Sequence, residues 1–446
     1  MKLWEKDIQV DQEVHRFTTA NDRILDLKLS YWDVLGSMAH VHMLESVNLI
    51  STGEKETLIS GLKDILKEIE SGDFVISEEV EDVHSQIELL LTERKGSVGK
   101  KIHTGRSRND QVLVDLKLYL RNELEELVHL SAALFEELWQ QSERTKDLIL
   151  PGYTHMQVAM PSSFGMWFGA YAECLVEDLY QLQATFKVIN QNPLGSAAGY
   201  GSSFPLDRMK TTELLGFNQL AVNSVFAQMG RGRTEKSMAF SISMLASTLG
   251  KLSMDICLYN SQNFGFLKLP DVYTTGSSIM PHKKNPDVFE LIRGKSNTLQ
   301  SLPFQINSIL VNLPSGYHRD LQLLKEVLFP AIESMKELLK LTAFAVSKLE
   351  VQPPLPTSKT YELMYTVDAV NELVMAGIPF RDAYKTIGLQ VEQGTFQAAS
   401  TPKDHTHLGS IGNLGNEEIR QKWEDAIGIF NFQEVRKSIE TLIKIQ

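Results

Sequence analysis

The chain has 446 residues, 43% hydrophobic and 22% charged, enough for a sizeable core and more than one domain. Lys plus Arg number 44 against 56 for Asp plus Glu, a formal net charge of −12 that argues against coating nucleic acid. Its two cysteines, Cys174 and Cys257, are too few for a disulfide framework and suit a reducing, cytoplasmic setting.

The first residues, MKLWEKDIQVDQEV, are charged and lack the apolar core of a secretory signal. No stretch reaches the run of about 18 apolar residues that a membrane span needs, so no membrane partner is expected. Before about Gly99 the pattern is one of shorter helices, including Glu54 to Ser71. Long rods follow. From Asp110 to about Lys146 there is no Pro or Gly, and Leu116, Leu120, Leu124, Leu127, Leu134 and Leu138 recur at helical spacing. A second rod carries Phe164, Phe168, Tyr171, Leu175, Leu179, Leu182 and Phe186. A third carries Met238, Ile242, Leu245, Leu249, Leu252, Ile256 and Tyr259. A fourth is predicted through Ile292, Leu299, Leu302, Ile306 and Ile309, and a fifth through Leu324, Leu328, Ile332, Met335, Leu339 and Val346.

Steps of three and four averaging about 3.5 residues belong to a supercoiled seam. A rod of some 35 residues is about 50 Å long, more than a monomer of this size requires. The pattern therefore predicts a helical bundle that also packs against other subunits. The run VQPPLPTSK, with Pro353, Pro354 and Pro356, is the clearest linker, and short helical pieces follow it.

Four polar segments interrupt the rods. HTGRSRNDQ, His103 to Gln111, sets Arg106 and Arg108 just before the first rod, with Asn109 or Asp110 placed to cap it. A guanidinium beside a helix N-terminus attracts carboxylates. PGYTHMQ puts Thr154 and His155 in a turn entering the second rod, and a histidine titrates where proton transfer at neutral pH needs it. TTGSSIMPHKKNPDVFELIRGK, Thr274 to Lys295, joins a Gly-Ser-Ser stretch to Lys283 and Lys284. Asn285 as N-cap and Pro286 at the first helical position predict a helix start there. GYHRDLQLLKE, Gly316 to Glu326, lets Tyr317, Gln322 and Lys325 share a face. The histidines lack paired ligand spacing, and neither a P-loop nor a dinucleotide fingerprint occurs, so no metal and no cofactor is expected.

The string GSSIMPHKKNPD resembles the signature of the fumarase/aspartase superfamily. Together with HTGRSRNDQ, PGYTHMQ, EDVH (Glu81 to His84) and the Tyr317/Gln322/Lys325 spacing, it makes the chain similar to the argininosuccinate lyase family from about Asp33 to about Gly388. That resemblance implies an all-α protein of three helical domains, 1–109, 110–352 and 353–446. Its central long helices would build a twenty-helix core in a homotetramer. Each active site would gather loops from three subunits. The implied reaction is reversible cleavage of L-argininosuccinate to L-arginine and fumarate, with a small-molecule substrate as partner and no metal or organic cofactor.

Carried over residue by residue, the resemblance implies Ser277 as base and His155 as acid, with the reverse assignment left open. Lys283 would stabilise the developing charge, and Glu290 would pair with the histidine. Substrate contacts would fall on Asp22, Arg108, Asn109, Thr154, Asn285, Tyr317, Gln322 and Lys325. Asp22 stands where the family usually has a serine, so it either turns from a tricarboxylate-like substrate or meets its amino group. His282 replaces the more usual glutamine and resembles adenylosuccinate lyase. AQMGRGRTEK, Ala227 to Lys236, departs from the family's usual acidic pattern, and Leu323 and Leu324 replace expected carboxylates. The alternatives are another fumarate-releasing lyase of the superfamily, or a non-catalytic structural protein on the same scaffold.

Overall fold

The computed structural model describes residues 12–19, 21–354, 361–398 and 405–445. The charged first residues, Pro356 and the rest of the linker beyond Pro354 lie outside them. The N-terminal part consists of α1 (Gln12–Thr19), α2 (Asp22–Asp26), α3 (Ser30–Ser46), α4 (Thr52–Ser71) and α5 (Val83–Lys95). The start of α4 follows from its sequence: Ser51 Oγ accepts from the Glu54 amide, and Glu54 returns a carboxylate to the Ser51 amide. Gly72 ends it in the left-handed conformation at φ 81°.

The rods then appear in order. α6 (Arg108–Arg144) runs into a hairpin of β1 (Ile149–Thr154) and β2 (Gln157–Ser163), then α7 (Phe164–Ile189) returns. Short α8 (Arg208–Leu214) and α9 (Ser224–Met229) precede α10 (Arg233–Tyr259). α11 (Asp287–Leu299), α12 (Leu302–Leu310) and α13 (Leu323–Ser347) complete the bundle. α6 packs along α7 and α13, and α10 along α7 and α11. The periodic leucines of α6 and α13 and the Met238-to-Ile256 stripe of α10 are buried in one continuous core.

Three local expectations are corrected. The fourth rod is two helices, because Pro303 lacks an N–H and its ring opposes the carbonyl four residues back, at Leu299. The cap of α6 is Ser107 rather than Asn109 or Asp110. Its Oγ accepts from the Asn109 amide at 3.3 Å while Asp110 accepts from the Ser107 amide at 2.9 Å. Asp110 Oδ2 also binds the amides of Gly195 and Ala197, tying the α7–α8 connection to the foot of α6. Finally, α11 begins at Asp287, and Asn285 lies in a short ladder in which Thr275–Gly276 pair with Lys284–Asn285. Its side chain reaches Thr275 across that ladder instead of capping the helix.

The C-terminal helices take two places. α14 (Thr366–Met375) and α15 (Phe380–Glu392) pack on each other around Val370, Ala383, Ile387 and Phe396. α16 (Asn416–Ile427) instead lies against α6 and α7, with Trp423 stacked on Phe135 at 4.3 Å. α17 (Phe432–Lys444) packs on α3 and α8. No helix among the described residues is long and apolar enough to cross a membrane.

Candidate active site

A cleft of about 150 Å³ opens where α2, the start of α5, the foot of α6, the turn before α10 and the Tyr317–Gln322 segment meet. Its wall holds Asp22, Arg108, Asn109, Tyr317, Gln322 and Lys325, six residues picked out by the sequence. It also holds Asp26, Glu81, Asp82, His84, Arg231 and Arg319, which were assigned no role. Asp26 carried one faint signal, its position four residues after Asp22 on the same helix.

Each cation of the cleft already faces an acid. Lys325 is 4% exposed, and its Nζ lies 2.6 Å from Asp22 Oδ1 and 2.5 Å from Asp26 Oδ1. Burial disfavours the ammonium, yet the two carboxylates outweigh it and hold Lys325 above the usual lysine range. Asp22 thus faces the cleft paired with Lys325. Burial foremost, with repulsion from Asp26, pushes its carboxyl up to about 6 against the pull of Lys325. Arg108 Nη1 is 3.3 Å from both Glu81 and Asp82, and its Nη2 donates to Ser85 Oγ at 2.7 Å. Arg319 bridges Glu81 and the Thr18 carbonyl, each at 2.8 Å. Gln322 donates to the same carbonyl at 3.2 Å. Arg231 pairs with Glu235 at 2.7 Å and donates to the Leu321 carbonyl.

Beneath the cleft lies a buried trio from three helices: Asp33 of α3, His84 of α5 and Asp115 of α6. His84 Nδ1 bonds Asp33 and stands 3.4 Å from Asp115, while Gln111 Nε2 donates to Asp33 at 2.8 Å. Among the described residues this is the one group of three metal-type ligands, its donor atoms within 4.8 Å of one another. The Arg106 guanidinium adds its charge to the pull on Asp33. Burial opposes both charged forms, but His84 holds Asp33 below the usual carboxylate range and Asp33 holds His84 above the usual histidine range. Burial and the neighbouring Asp33 charge keep Asp115 protonated far above that range.

A stability prediction follows for Asp115. Its folded pKa is raised above the usual 3.8, so the unfolded chain releases this proton first and stability drops as pH climbs above that value. Asp115→Asn cannot titrate and keeps a donor toward Asp33. It should gain stability over the parent by up to about 1.4 kcal/mol per pH unit across that window. Urea unfolding of both chains between pH 5 and 8 tests this, and a gain that does not grow with pH would refute it.

The remaining sequence-chosen residues sit at the far end of the bundle. Thr154 and His155 occupy the tip of the β1–β2 hairpin, where Thr154 pairs with Gln157. His155 and Met156 both have positive φ, 52° and 61°, the backbone of a two-residue hairpin turn. The exposed imidazole is thus carried on a hairpin tip rather than on the simple turn the sequence suggested. Ser277, Lys283 and Asn285 lie on the neighbouring loop, and Glu290 in the first turn of α11. Ser277 Oγ accepts from the amides of Ile279 at 3.3 Å and Met280 at 3.1 Å. Rings place these segments: Tyr153 meets Phe264 at 5.5 Å, and Tyr273 meets Phe344 in the last turns of α13. Lys325 is in the first turn of that helix, so some 30 Å separates the loop from the cleft. Asn109 and His155 are held apart likewise by α6, about 55 Å long.

The bundle thus carries a cleft of paired charges at one end and a serine loop with a histidine hairpin at the other. A lyase family model matches residues 5–300. An argininosuccinate lyase of Parabacteroides distasonis is 56% identical over 442 residues, 99% of each chain. One of Bacteroides fragilis is likewise 56% identical over 442 residues, again 99% of each. Among solved structures, EDDS lyase in complex with formate shares the fold, with a TM-score of 0.74 at 21% identity over 98% of this chain and 92% of that one. The chain belongs to this lyase family, among the argininosuccinate lyases.

Proposed function

We propose that the chain catalyses reversible β-elimination of L-argininosuccinate to L-arginine and fumarate, a step of arginine biosynthesis, as a cytoplasmic homotetramer without metal or organic cofactor. The observation that carries this is the division of the site residues: a cleft of paired cations and acids at one end of the bundle, proton-transfer groups at the other. The substrate has three carboxylates, and Arg108, Arg231, Arg319 and Lys325 supply charge to receive them.

Ser277 is the base in this scheme. With its own proton released to solvent, Ser277 Oγ is an alkoxide stabilised by the two amides that donate to it, and it takes the Cβ proton to become a hydroxyl again. Removing that proton builds negative charge on the adjacent carboxylate, where Lys283 and Asn285 stabilise it. The C–N bond then breaks, the C=C bond forms, and His155, partnered by Glu290, protonates the departing guanidino nitrogen. Asn109, Thr154, Tyr317 and Gln322 orient the substrate.

Because α6 and α13 hold the two ends apart, one chain cannot complete this set. Antiparallel association brings the hairpin and serine loop of neighbours to the cleft. Phe240, Met244, Leu291 and Phe304, exposed on the outer faces of α10 to α12, supply apolar surface for it. The units 1–109, 110–352 and 353–446 are the proposed domains. The test is fumarate absorbance with L-argininosuccinate and with adenylosuccinate. Turnover is expected on the first alone. His282 favours the second substrate, so preference for adenylosuccinate would transfer the assignment to that lyase, and turnover of neither would leave a structural protein.

A further inference from the structure

Lys325 has two carboxylates and one positive charge to share between them. Asp26 is 2% exposed, and its second oxygen accepts from the Val83 amide at 3.3 Å, so it is fixed as the inner partner. Asp22 is the outer partner, at 15% side-chain exposure on the cleft wall. Both residues line the cleft, so an anion that reaches the Lys325 ammonium there meets the Asp22 carboxylate beside it. An acid at this position therefore changes what that ammonium can bind.

We propose that Asp22 is a specificity-determining latch: it competes with a substrate carboxylate for Lys325 and takes up a proton from solvent when the substrate engages that ammonium. This rests on the proposed function, since Lys325 is a substrate contact only in that scheme. The groups facing Asp22 are Asp26 on its own helix, Lys325 from α13 and Arg231 from the turn before α10. Across the cleft, Glu81 and Asp82 are already held by Arg108 and Arg319, and the Asp33 pair holds His84. An unpaired acid beside an incoming anion is costly, and Asp22, with a carboxyl raised to about 6, is ready to be neutralised.

The sign follows from linkage. Substrate binding that takes up one proton weakens about tenfold per pH unit above the pKa of the group that accepts it. KM for argininosuccinate should therefore rise about tenfold from pH 7 to pH 8 and level off near pH 6. Asp22→Asn, which mimics the protonated acid, should flatten that rise, as should Asp22→Ser. A purely structural loss would shift KM equally at every pH.

Calorimetry with L-argininosuccinate on the inactive Ser277→Ala tetramer, in buffers of different ionisation enthalpy, reads the proton directly. About one proton taken up at pH 7.5, abolished by adding Asp22→Asn or Asp22→Ser, is the expected result. No uptake, or uptake unchanged in both double variants, would overturn the latch. If the parent tetramer neither binds nor cleaves argininosuccinate, the functional assignment falls and the latch falls with it. Retained cleavage without the proton removes the latch alone.

Discussion

Ser277→Ala is expected to keep the assembled fold and lose turnover by about 10²–10⁴-fold. The hydroxyl makes no core contact. It sits half-buried on a loop with two backbone amides as its partners, so its removal leaves no cavity in the bundle. The two amides then face no oxygen, and the Cβ proton has no nearby acceptor. Steady-state fumarate release, beside an unfolding curve matching the parent, checks both halves. More than a tenth of normal turnover in the variant would remove Ser277 from proton transfer.

Asp33→Asn should act on stability and, through it, on binding. It removes the closest counter-ion of the buried His84, a loss of up to about 3–5 kcal/mol for a broken buried pair, reduced where Asp115, 3.4 Å away and no longer held protonated by Asp33, ionises in its place. The pH window has two edges. The Asp33 contribution is present above its unfolded pKa and is lost as pH falls through its depressed folded value. The His84 contribution is complete below its unfolded pKa and is lost as pH rises through its elevated folded value. The variant should therefore fall furthest below the parent between those edges, near pH 5 to 6. His84 also adjoins Ser85 and follows Asp82, both of which hold Arg108, so KM should rise with the loss. Urea unfolding and KM at pH 5.5 and 8 test this, and a variant as stable as the parent at pH 5.5 would contradict it.

The rods were legible because helical periodicity is local: the stripe from Met238 to Ile256 can be read without knowing what packs against it. The β1–β2 hairpin was not, because Pro151, Gly152 and Pro161 obscure alternation over so short a span. The break at Pro303 was present in the sequence, and the apolar spacing across it overrode that signal. In the cleft, Arg108, Asn109, Tyr317, Gln322 and Lys325 came from motifs. The pairing of Asp22 with Lys325, and the trio of Asp33, His84 and Asp115, join residues from distant helices that no spacing rule relates. Nor could spacing show that motif residues would fall at opposite ends of the bundle.

That division makes the central claim testable by mixing. Arg108→Ala disables the cleft, and Ser277→Ala disables the far loop. Each should be nearly inactive as a homogeneous assembly. Refolded together at equal amounts, random association should leave about a quarter of sites with both residues intact, drawn from different chains. About a quarter of parental activity in the verified mixed assembly is the predicted result. Mixed assemblies no more active than either variant alone would mean that each chain builds its own site, contrary to the geometry of α6 and α13.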